Sequence, residues 1–452
     1  MASTYLTKTF SGAGNRKKWT WSAWVKKHQE TSNSQYNQVL FGTAGGSYDT
    51  ISFLTTPNSP KFFCNVSGNF ERQTNAFQRD CFGWYHLVIT FDSAQSTAAD
   101  RLKMYVNGVQ QSSFSDNTNG NQNDDSYINS TDAHQIGRQA GLSRYGEFSM
   151  SHVHFCDGYA YAASDFGSFD NDTGEWKINT SPSVSYGTNG FFILKDGNSL
   201  TDQSPNTNNW SVGAGTLTKT EDSPSNIFAT LNPLAGNTDA TFSHGNTKVT
   251  FGTASSRSIV STTLGAINGR YYWEMKVAGA VYANNITAGV GTKYDYDASS
   301  NAVGSYAETW GITPWNGQVM NNGSSVGGTW ATFASGDIMQ FAINLVEEQS
   351  GLNKFYIGKN GTWLNGADPS NHSSTTGVVG ITKPENGSSG FVFPLFGDGG
   401  SSATPAPEVN FGNGYFGTTA VSSAGTNASG NGIFEYDVPT GFTALSTKGL
   451  NL

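Results

Sequence analysis

The sequence predicts an all-β protein built from two antiparallel β-sandwich (jelly-roll) domains in tandem, and its composition gives two of the reasons. Among 452 residues, 54 are glycine and 13% are charged, whereas globular chains average ~7% glycine and ~25% charged residues. A surface made of Gly, Asn, Ser and Thr disfavours a helical bundle. Aromatic residues make up 13% of the chain, which excludes a disordered protein because such chains lack the side chains for a core.

The third reason is the spacing of apolar runs. Short segments rich in β-branched and aromatic residues alternate with Gly, Asn and Ser turns, a pattern typical of sandwiches and barrels. The strands predicted in the first part of the chain are Trp19–Val25, Gln38–Phe41, Lys61–Asn65, Trp84–Phe91, Leu102–Val106, Phe148–Cys156 and Gly190–Leu194. Asn107-Gly108 follows one of them and predicts a hairpin, because both central residues of a type I′ turn need positive φ.

A composition shift after Asp196 predicts a domain boundary. Residues 197–237 are mostly Asn, Ser, Thr, Gly and Pro, which indicates a linker. The predicted domains are therefore residues 1–196 and 238–452, separated by this linker. The strands predicted after it are Lys248–Phe251, Tyr271–Val277, Ile286–Val290, Ile338–Leu345, Lys354–Ile357, Phe391–Phe396 and Glu408–Phe411.

Several classes of protein are disfavoured by the rest of the sequence. No apolar run approaches the ~20 residues that span a bilayer, and the first ten residues lack the apolar region of a signal peptide, so we expect a soluble chain made without a secretion signal. The net charge of -9 disfavours nucleic acid as a partner. Cys64, Cys81 and Cys156 are odd in number without CxxC spacing, so we expect buried thiols.

The first half of the chain resembles the laminin-G/concanavalin-A-like lectin superfamily. The motifs that carry this resemblance occur in the expected order at Trp19–Val25, Gly83–Asp92 and Leu102–Gly108. Three later stretches are similar to versions of this domain in structural proteins of marine bacteriophages: Asp132–Arg138, Val153–Gly158 and Phe169–Trp176. The resemblance implies a lectin-like jelly roll over residues 1–196.

The second half resembles a SPRY domain. The motifs are Gly269–Val277, Ala288–Gly291, Trp310–Ile312, Gly336–Ile338 and Lys354–Gly361, and Phe434–Phe442 is similar to the tail that follows such domains in phage proteins. The pair of resemblances implies a phage virion protein, a tail fibre or spike that binds host surface glycan or a receptor. The alternative is a head fibre or capsid decoration protein that binds other virion proteins and no sugar. Either would lie on the virion surface as a homo-oligomer, with a trimer favoured.

Candidate ligand-binding residues lie on the loops between the SPRY-like strands. Sugars are held by aromatic faces together with Asn, Asp and backbone hydrogen bonds around a preformed concavity. The residues that offer these groups are Tyr294, Tyr296, Asp297, Trp315, Asn316, Trp330 and Trp363. Packing in the core is the alternative role for each tryptophan.

No cofactor is expected, with calcium as an alternative. Asp116, Asp124 and Asp125 offer oxygen ligands in the predicted loop Ser113–Asn129, although no twelve-residue calcium pattern is present. His152, His154 and Cys156 would share one face of a strand with period two. Alternate residues on a strand lie about 6.5–7 Å apart, too far to converge on one zinc ion, so a buried core strand is the favoured interpretation.

No catalytic residues are predicted. A glucanase would need two carboxylates about 5–9.5 Å apart, and no run of acidic residues on one strand face supplies them. Gly323-Ser324-Ser325-Val326-Gly327 matches a nucleophile motif, but that motif requires a strand before it and a helix after it. The surrounding Gly and Ser residues predict a turn instead, so we expect a binding protein and not an enzyme.

Overall fold

The computed structural model describes residues 4–29, 38–43, 49–56, 59–139, 144–195, 199–235, 239–252, 257–279, 286–293, 302–346, 353–382, 390–399 and 404–451. The chain divides into two compact units, unit 1 (Met1–Lys219 with Ser223–Ser225) and unit 2 (Thr220–Asp222 with Asn226–Leu452). The described residues contain no α-helix, and their short 3-10 helices are Ala98–Asp100, Ala163–Asp165, Leu364–Gly366 and Gly449–Asn451. The predicted all-β class is confirmed.

Unit 1 is a sandwich of two antiparallel sheets. Its strands are β1 (Tyr5–Thr9), β2 (Lys18–Lys27), β3 (Gln38–Thr43), β4 (Thr50–Thr56), β5 (Ser59–Val66), β6 (Phe70–Phe77), β7 (Tyr85–Asp92), β8 (Leu102–Val106), β9 (Val109–Gln110), β10 (Phe114–Thr118), β11 (Ala133–Ile136), β12 (Arg138–Gln139), β13 (Arg144–Tyr145), β14 (Phe148–Asp157), β15 (Gly167–Phe169), β16 (Trp176–Ile178), β17 (Phe191–Ile193) and β18 (Ser211–Ala214). In the described residues, the larger sheet runs β10-β6-β5-β4-β3-β11-β1-β18 and the smaller runs β17-β14-β2-β7-β8-β9.

Unit 2 repeats this plan with different connections. Its strands are β19 (Ala240–Ser243), β20 (Lys248–Phe251), β21 (Ser258–Ser261), β22 (Arg270–Lys276), β23 (Ile286–Gly291), β24 (Thr309–Thr313), β25 (Gln318–Asn321), β26 (Ser324–Thr329), β27 (Ile338–Asn344), β28 (Asn353–Lys359), β29 (Thr362–Trp363), β30 (Val379–Ile381), β31 (Phe393–Asp398), β32 (Glu408–Asn410), β33 (Tyr415–Phe416), β34 (Thr419–Ala420) and β35 (Thr443–Ala444). One sheet runs β19-β20-β32-β22-β27-β28-β29, with β30 paired to β28 and β35 to β22, and the other runs β21-β31-β23-β24-β25-β26.

Aromatic side chains fill the space between the two sheets of each unit. In unit 1, Trp19 and Trp21 point inward from β2 and are completely buried, and Trp21 stacks on Phe41 of the opposite sheet at a ring separation of 6.2 Å. In unit 2, Trp273, Phe341 and Phe355 from three neighbouring strands form one cluster of stacked rings, with centroid separations of 5.6, 5.8 and 6.5 Å. Full burial of each such side chain contributes about 1.5–3 kcal/mol.

The outer face of the smaller sheet in unit 1 is also covered. The Thr20 hydroxyl, which points outward from β2, donates to the Tyr159 carbonyl at 2.9 Å and accepts from the Tyr161 N–H at 2.8 Å. The Trp176 indole donates to Nδ1 of His86 at 3.0 Å. We call residues 158–189 the first covering segment, and its apolar side chains pack on the outward-facing Val88 and Cys156.

The outer face of the larger sheet in unit 2 carries a second covering segment, residues 425–444. Its anchor is the buried carboxylate of Glu274, which points outward from β22 and accepts hydrogen bonds from the backbone N–H groups of Glu435 and Tyr436 at 2.9 and 2.8 Å. The Tyr272 hydroxyl donates to the same carboxylate at 2.8 Å. Burial raises the pKa of Glu274 to about 7, although these donors act in the opposite direction.

The predicted linker needs correction, because most of residues 197–237 belong to one unit or the other. Trp210 is 4% exposed in the core of unit 1, and β18, which follows it, pairs with β1. On the other side, Phe228 and Leu231 are buried in unit 2. The few apolar residues of this polar segment are therefore its anchors, and the two units divide near residues 219–226.

Local backbone predictions had mixed outcomes. The hairpin at Asn107-Gly108 is confirmed, since β8 pairs with β9 and the two turn residues have φ of 47° and 80°. The predicted period-two alternation through His152 is wrong, because the register of β14 shifts between Ser151 and His154 and His152 has φ of 49°. This bulge removes His152 from the regular alternation that would have aligned it with His154. All three cysteines are buried, as expected.

We predict that Glu274 makes the stability of unit 2 fall between pH 4.5 and 7. Because the pKa of Glu274 is raised in the folded state, the folded protein keeps a proton that the unfolded chain has lost in this range. The contribution of Glu274 to the free energy of unfolding is therefore fully present below about pH 4.5 and is lost as pH rises through about 7. Its upper limit is about 3 kcal/mol. Calorimetric unfolding against pH should show a flatter profile for Glu274→Gln, whereas Glu221→Gln, an exposed carboxylate in the same unit, should keep the wild-type slope. Equal slopes in wild type and Glu274→Gln would contradict the assignment.

Candidate functional site

A concave site lies at the edge of the unit 2 sandwich. Its volume is about 520 Å³, within the range of about 300–1,000 Å³ typical of ligand pockets. We call it the sandwich-edge cavity. Its lining residues are Ala307, Trp310, Asn321, Val326, Gly327, Val378, Val379, Gly380 and Thr382.

The cavity forms where edge strands from two different sheets face each other. One wall comes from β24, β25 and β26, of which β26 is the last strand of its sheet, and the other comes from β30, which pairs with β28 of the other sheet. Asn322-Gly323 makes the tight turn between β25 and β26, with φ of 50° and 72°. Asn321 fixes the adjoining loop, because its amide donates to the carbonyls of Ala307 and Thr309 at 2.9 Å each.

The lining combines apolar and uncharged polar groups. Trp310 and the valine side chains provide apolar walls, Asn321 and Thr382 provide an amide and a hydroxyl, and Gly327 and Gly380 leave the main chain uncovered. None of the nine lining residues carries a charge. A neutral ligand with both C–H surfaces and hydroxyl groups fits this chemistry best, since a charged ligand would find no counter-charge in the lining.

Trp330 contributes an unpaired donor beside the cavity. Its side chain is 5% exposed, and its indole Nε1 is buried without a hydrogen-bond partner. A Cβ atom added to Gly327, which lines the cavity, would lie 3.5 Å from that nitrogen. A buried N–H without an acceptor costs about 1–3 kcal/mol, and this nitrogen lies beneath the lining, where a ligand in the cavity does not contact it.

The sequence-predicted site residues do not gather at one place in the described chain. Trp315 is 40% exposed in the turn between β24 and β25, and Asn316 in the same turn accepts a hydrogen bond from the Gln318 N–H at 3.1 Å. Trp330 packs in the core of unit 2. Trp363 packs edge-on against Tyr272 and Tyr356 on the outer sheet face. Tyr294, Tyr296 and Asp297 lie outside the described residues.

The calcium candidates are not brought together either. Asp116 lies on β10, so part of the predicted loop Ser113–Asn129 is a strand. Asp124 accepts the Asn121 N–H at 3.0 Å, and Asp125 forms an ion pair with Arg16 at 3.6 Å. Within the described ranges, no group of three or more His, Cys, Asp or Glu side chains is arranged to hold a metal ion.

One buried pair in unit 1 has the residue types of a nucleophile and its base. Ser22 Oγ lies 2.9 Å from Nε2 of His86. The Trp176 N–H donates a hydrogen bond to Nδ1 of the same ring at 3.0 Å. Neutral His86 therefore carries its proton on Nε2 and donates a hydrogen bond from Nε2 to the Ser22 hydroxyl. Burial lowers the pKa of His86 to about 3, which keeps the ring neutral. This tautomer cannot accept the serine proton, and the pair therefore has a structural role.

The sequence did not identify Trp310 and Asn321 as site residues. Trp310 was named only as part of a SPRY-like motif, and Asn321 was not singled out. The cavity forms because β26 and β30, which belong to different sheets, lie close together. No local sequence pattern predicts that these two strands are neighbours.

The described geometry thus defines a protein of two β-sandwiches with a concave, uncharged site at one sandwich edge. Residues 3–164 match a laminin G family model described as the Concanavalin A-like lectin/glucanases superfamily. This part of the chain is similar to that superfamily, in agreement with the lectin-like motifs of the first half. No curated protein matches the chain.

Solved SPRY domains are structural neighbours of the chain. The SPRY domain of human HERC1 has 14% sequence identity and a TM-score of 0.30, covering 40% of this chain and 96% of that one. A human SPRY domain has 15% identity and a TM-score of 0.28, covering 38% and 94%. The TRIM65 PSpry domain has 14% identity and a TM-score of 0.27, covering 40% and 88%. At these scores the neighbours carry no argument about function.

Two tryptophans predicted for the same role should behave differently when removed. Trp330→Ala should lower the stability of unit 2 by about 3–5 kcal/mol, because it empties a core position, whereas Trp315→Ala should cost only about 1 kcal/mol because 40% of this side chain is already exposed. Denaturant unfolding monitored by circular dichroism measures both. A large loss of stability in Trp315→Ala, or none in Trp330→Ala, would contradict these placements.

Proposed function

We propose that this chain is a binding protein whose sandwich-edge cavity takes a neutral sugar of a host surface glycan. The observation that carries the proposal is the chemistry of the cavity, which offers apolar walls and uncharged hydrogen-bonding groups with no charged side chain among its described lining residues. Pyranose rings present C–H faces and hydroxyl groups together, and aromatic side chains bind such C–H faces while a few placed polar groups set the orientation.

The hydrogen-bonding groups suit hydroxyl-rich ligands. The Asn321 carbonyl oxygen can accept a hydrogen bond from a sugar hydroxyl, and the Thr382 hydroxyl can donate or accept one. Trp315 lies in the turn at the other end of the β24–β25 hairpin and extends the exposed aromatic surface of this unit. These features support an adhesin-like role.

The finer proposal is that the protein is displayed on a bacteriophage particle as part of a tail fibre or spike. The ordered lectin-like and SPRY-like motifs support it, together with the match of residues 3–164 to lectin-type domains. Its partners would be other virion proteins and host-cell glycan or receptor, on the virion surface, in a homotrimer. The described residues include no helix long and apolar enough to cross a membrane. A catalytic role is not part of the proposal.

The second candidate is a head fibre or decoration protein that binds virion proteins without sugar recognition. Mass spectrometry of purified virions measures whether the chain is on the particle, and its copy number separates the two roles. Few copies favour a fibre, and hundreds favour a head decoration. Absence from the particle would reject both.

We predict that blocking the sandwich-edge cavity abolishes glycan binding. Thr382→Trp places a bulky ring at the rim of the cavity and should weaken binding of neutral glycans on an array at least about tenfold, equivalent to about 1.4 kcal/mol. Thr375→Trp is the matched control, because Thr375 is exposed and does not line the cavity. Both variants should unfold at the wild-type temperature.

Two outcomes would contradict the prediction. Binding that survives in Thr382→Trp would place the sugar elsewhere, and equal losses in both variants would show a nonspecific effect of added aromatic surface. The absence of any binding by the correctly assembled wild-type oligomer would favour the decoration protein.

A further inference from the structure

Arg138 in unit 1 packs against two neighbouring tyrosine rings. It begins β12, which pairs with β13 so that Arg138 lies opposite Tyr145. The centre of its guanidinium lies 4.8 Å from the centroid of the Tyr5 ring and 5.5 Å from that of Tyr145. The two rings are 6.4 Å apart. Contacts with two rings restrict the plane of the guanidinium, so the side chain is preorganised before any ligand arrives.

The N–H donors of Arg138 have no acceptor in the part of the chain that the structure describes. Its Nε is buried without a hydrogen-bond partner. Four other arginines of the protein donate to backbone carbonyls. Arg16 donates to Ser126 at 2.6 Å, Arg72 to Thr118 at 2.7 Å, Arg101 to Gly120 at 2.7 Å and Arg257 to Gly399 at 3.0 Å. Arg138 is therefore positioned by packing and not by hydrogen bonds.

The charge of Arg138 is also uncompensated. Among the described residues, no carboxylate lies within the 4.0 Å of an ion pair. Glu147 lies two residues beyond Tyr145 in the chain, but its carboxylate accepts a hydrogen bond from the Gln29 amide. Arg144 sits opposite Gln139 in the same β12–β13 pair and adds a second positive charge to it. The basic first thirty residues of the sequence add further positive charge to unit 1.

We propose that Arg138, Tyr5 and Tyr145 form a binding site for an oxyanion, the carboxylate or phosphate group of an acidic sugar. A guanidinium presents parallel N–H donors that match both oxygens of a carboxylate or phosphate, and such charge-assisted pairs are about twice as strong as neutral hydrogen bonds. The two terminal nitrogens of Arg138, which are not among the buried unpaired atoms, would make this contact. This site uses none of the residues of the sandwich-edge cavity, so it does not depend on the function proposed for unit 2.

The test is titration of the full-length chain with glucuronate, glucose 6-phosphate and glucose, followed by isothermal calorimetry. Arg138-dependent binding should appear with one or both anionic sugars, and the one that binds identifies the oxyanion. Arg138→Gln should remove this binding. Arg138→Lys keeps the charge without the paired donors and should weaken it at least about tenfold. Lys103→Gln removes an equal charge from unit 1 at an ion pair with Asp100 and should leave the affinity unchanged.

Three results would overturn the proposal. The first is the absence of Arg138-dependent binding with either anion. The second is an equal loss of affinity in Lys103→Gln, which would indicate general charge attraction. The third is wild-type affinity in Arg138→Gln. The unfolding temperature of each variant is measured in parallel. Arg138→Lys, which retains a long side chain against the rings, decides the result if Arg138→Gln does not fold.

Discussion

Within each unit, the fold depends on a polar side chain that points outward from a central strand and forms hydrogen bonds with the backbone of a covering segment. In unit 1, the Thr20 hydroxyl bonds both a carbonyl and an N–H of the first covering segment. In unit 2, the Glu274 carboxylate bonds two consecutive N–H groups of the second. Buried backbone groups without partners would cost about 1–3 kcal/mol each. With these contacts, a segment without regular secondary structure can pack on a sheet face, where it cannot form the backbone hydrogen bonds that join neighbouring strands.

This constraint also determines where a ligand can bind. Because β2 and β22 are covered on both faces, the middles of these sheets are buried and offer no surface. The sandwich-edge cavity lies at the margin of unit 2, where β26 and β30 meet. Arg138 likewise sits on a short two-stranded pair outside the main ladders. The two proposed binding sites thus lie apart from the covered sheet centres, as is usual for rigid scaffolds that carry binding sites at their margins.

The features that the sequence predicted well are local. The Asn107-Gly108 turn and the alternating strands follow from φ preferences and period two, and Trp19 and Trp273 are inward on those strands. Features that depend on distant residues were missed. Trp363 looked like a turn residue, but Tyr272 and Tyr356 from other strands pack around it. The polar segment after Asp196 looked like a linker because its few anchors find their partners far away in the chain. The sandwich-edge cavity has no local signature for the same reason.

Hydrogen exchange at the covering segments tests the central claim most directly. Thr20→Val keeps the side-chain shape but removes the hydroxyl that bonds the Tyr161 N–H, and mass spectrometry follows exchange peptide by peptide. The account predicts faster exchange over residues 158–189, with β2 and β7 protected as in the wild type. Unchanged exchange in this segment, or equal acceleration throughout unit 1, would show that the hydroxyl does not hold the cover in place.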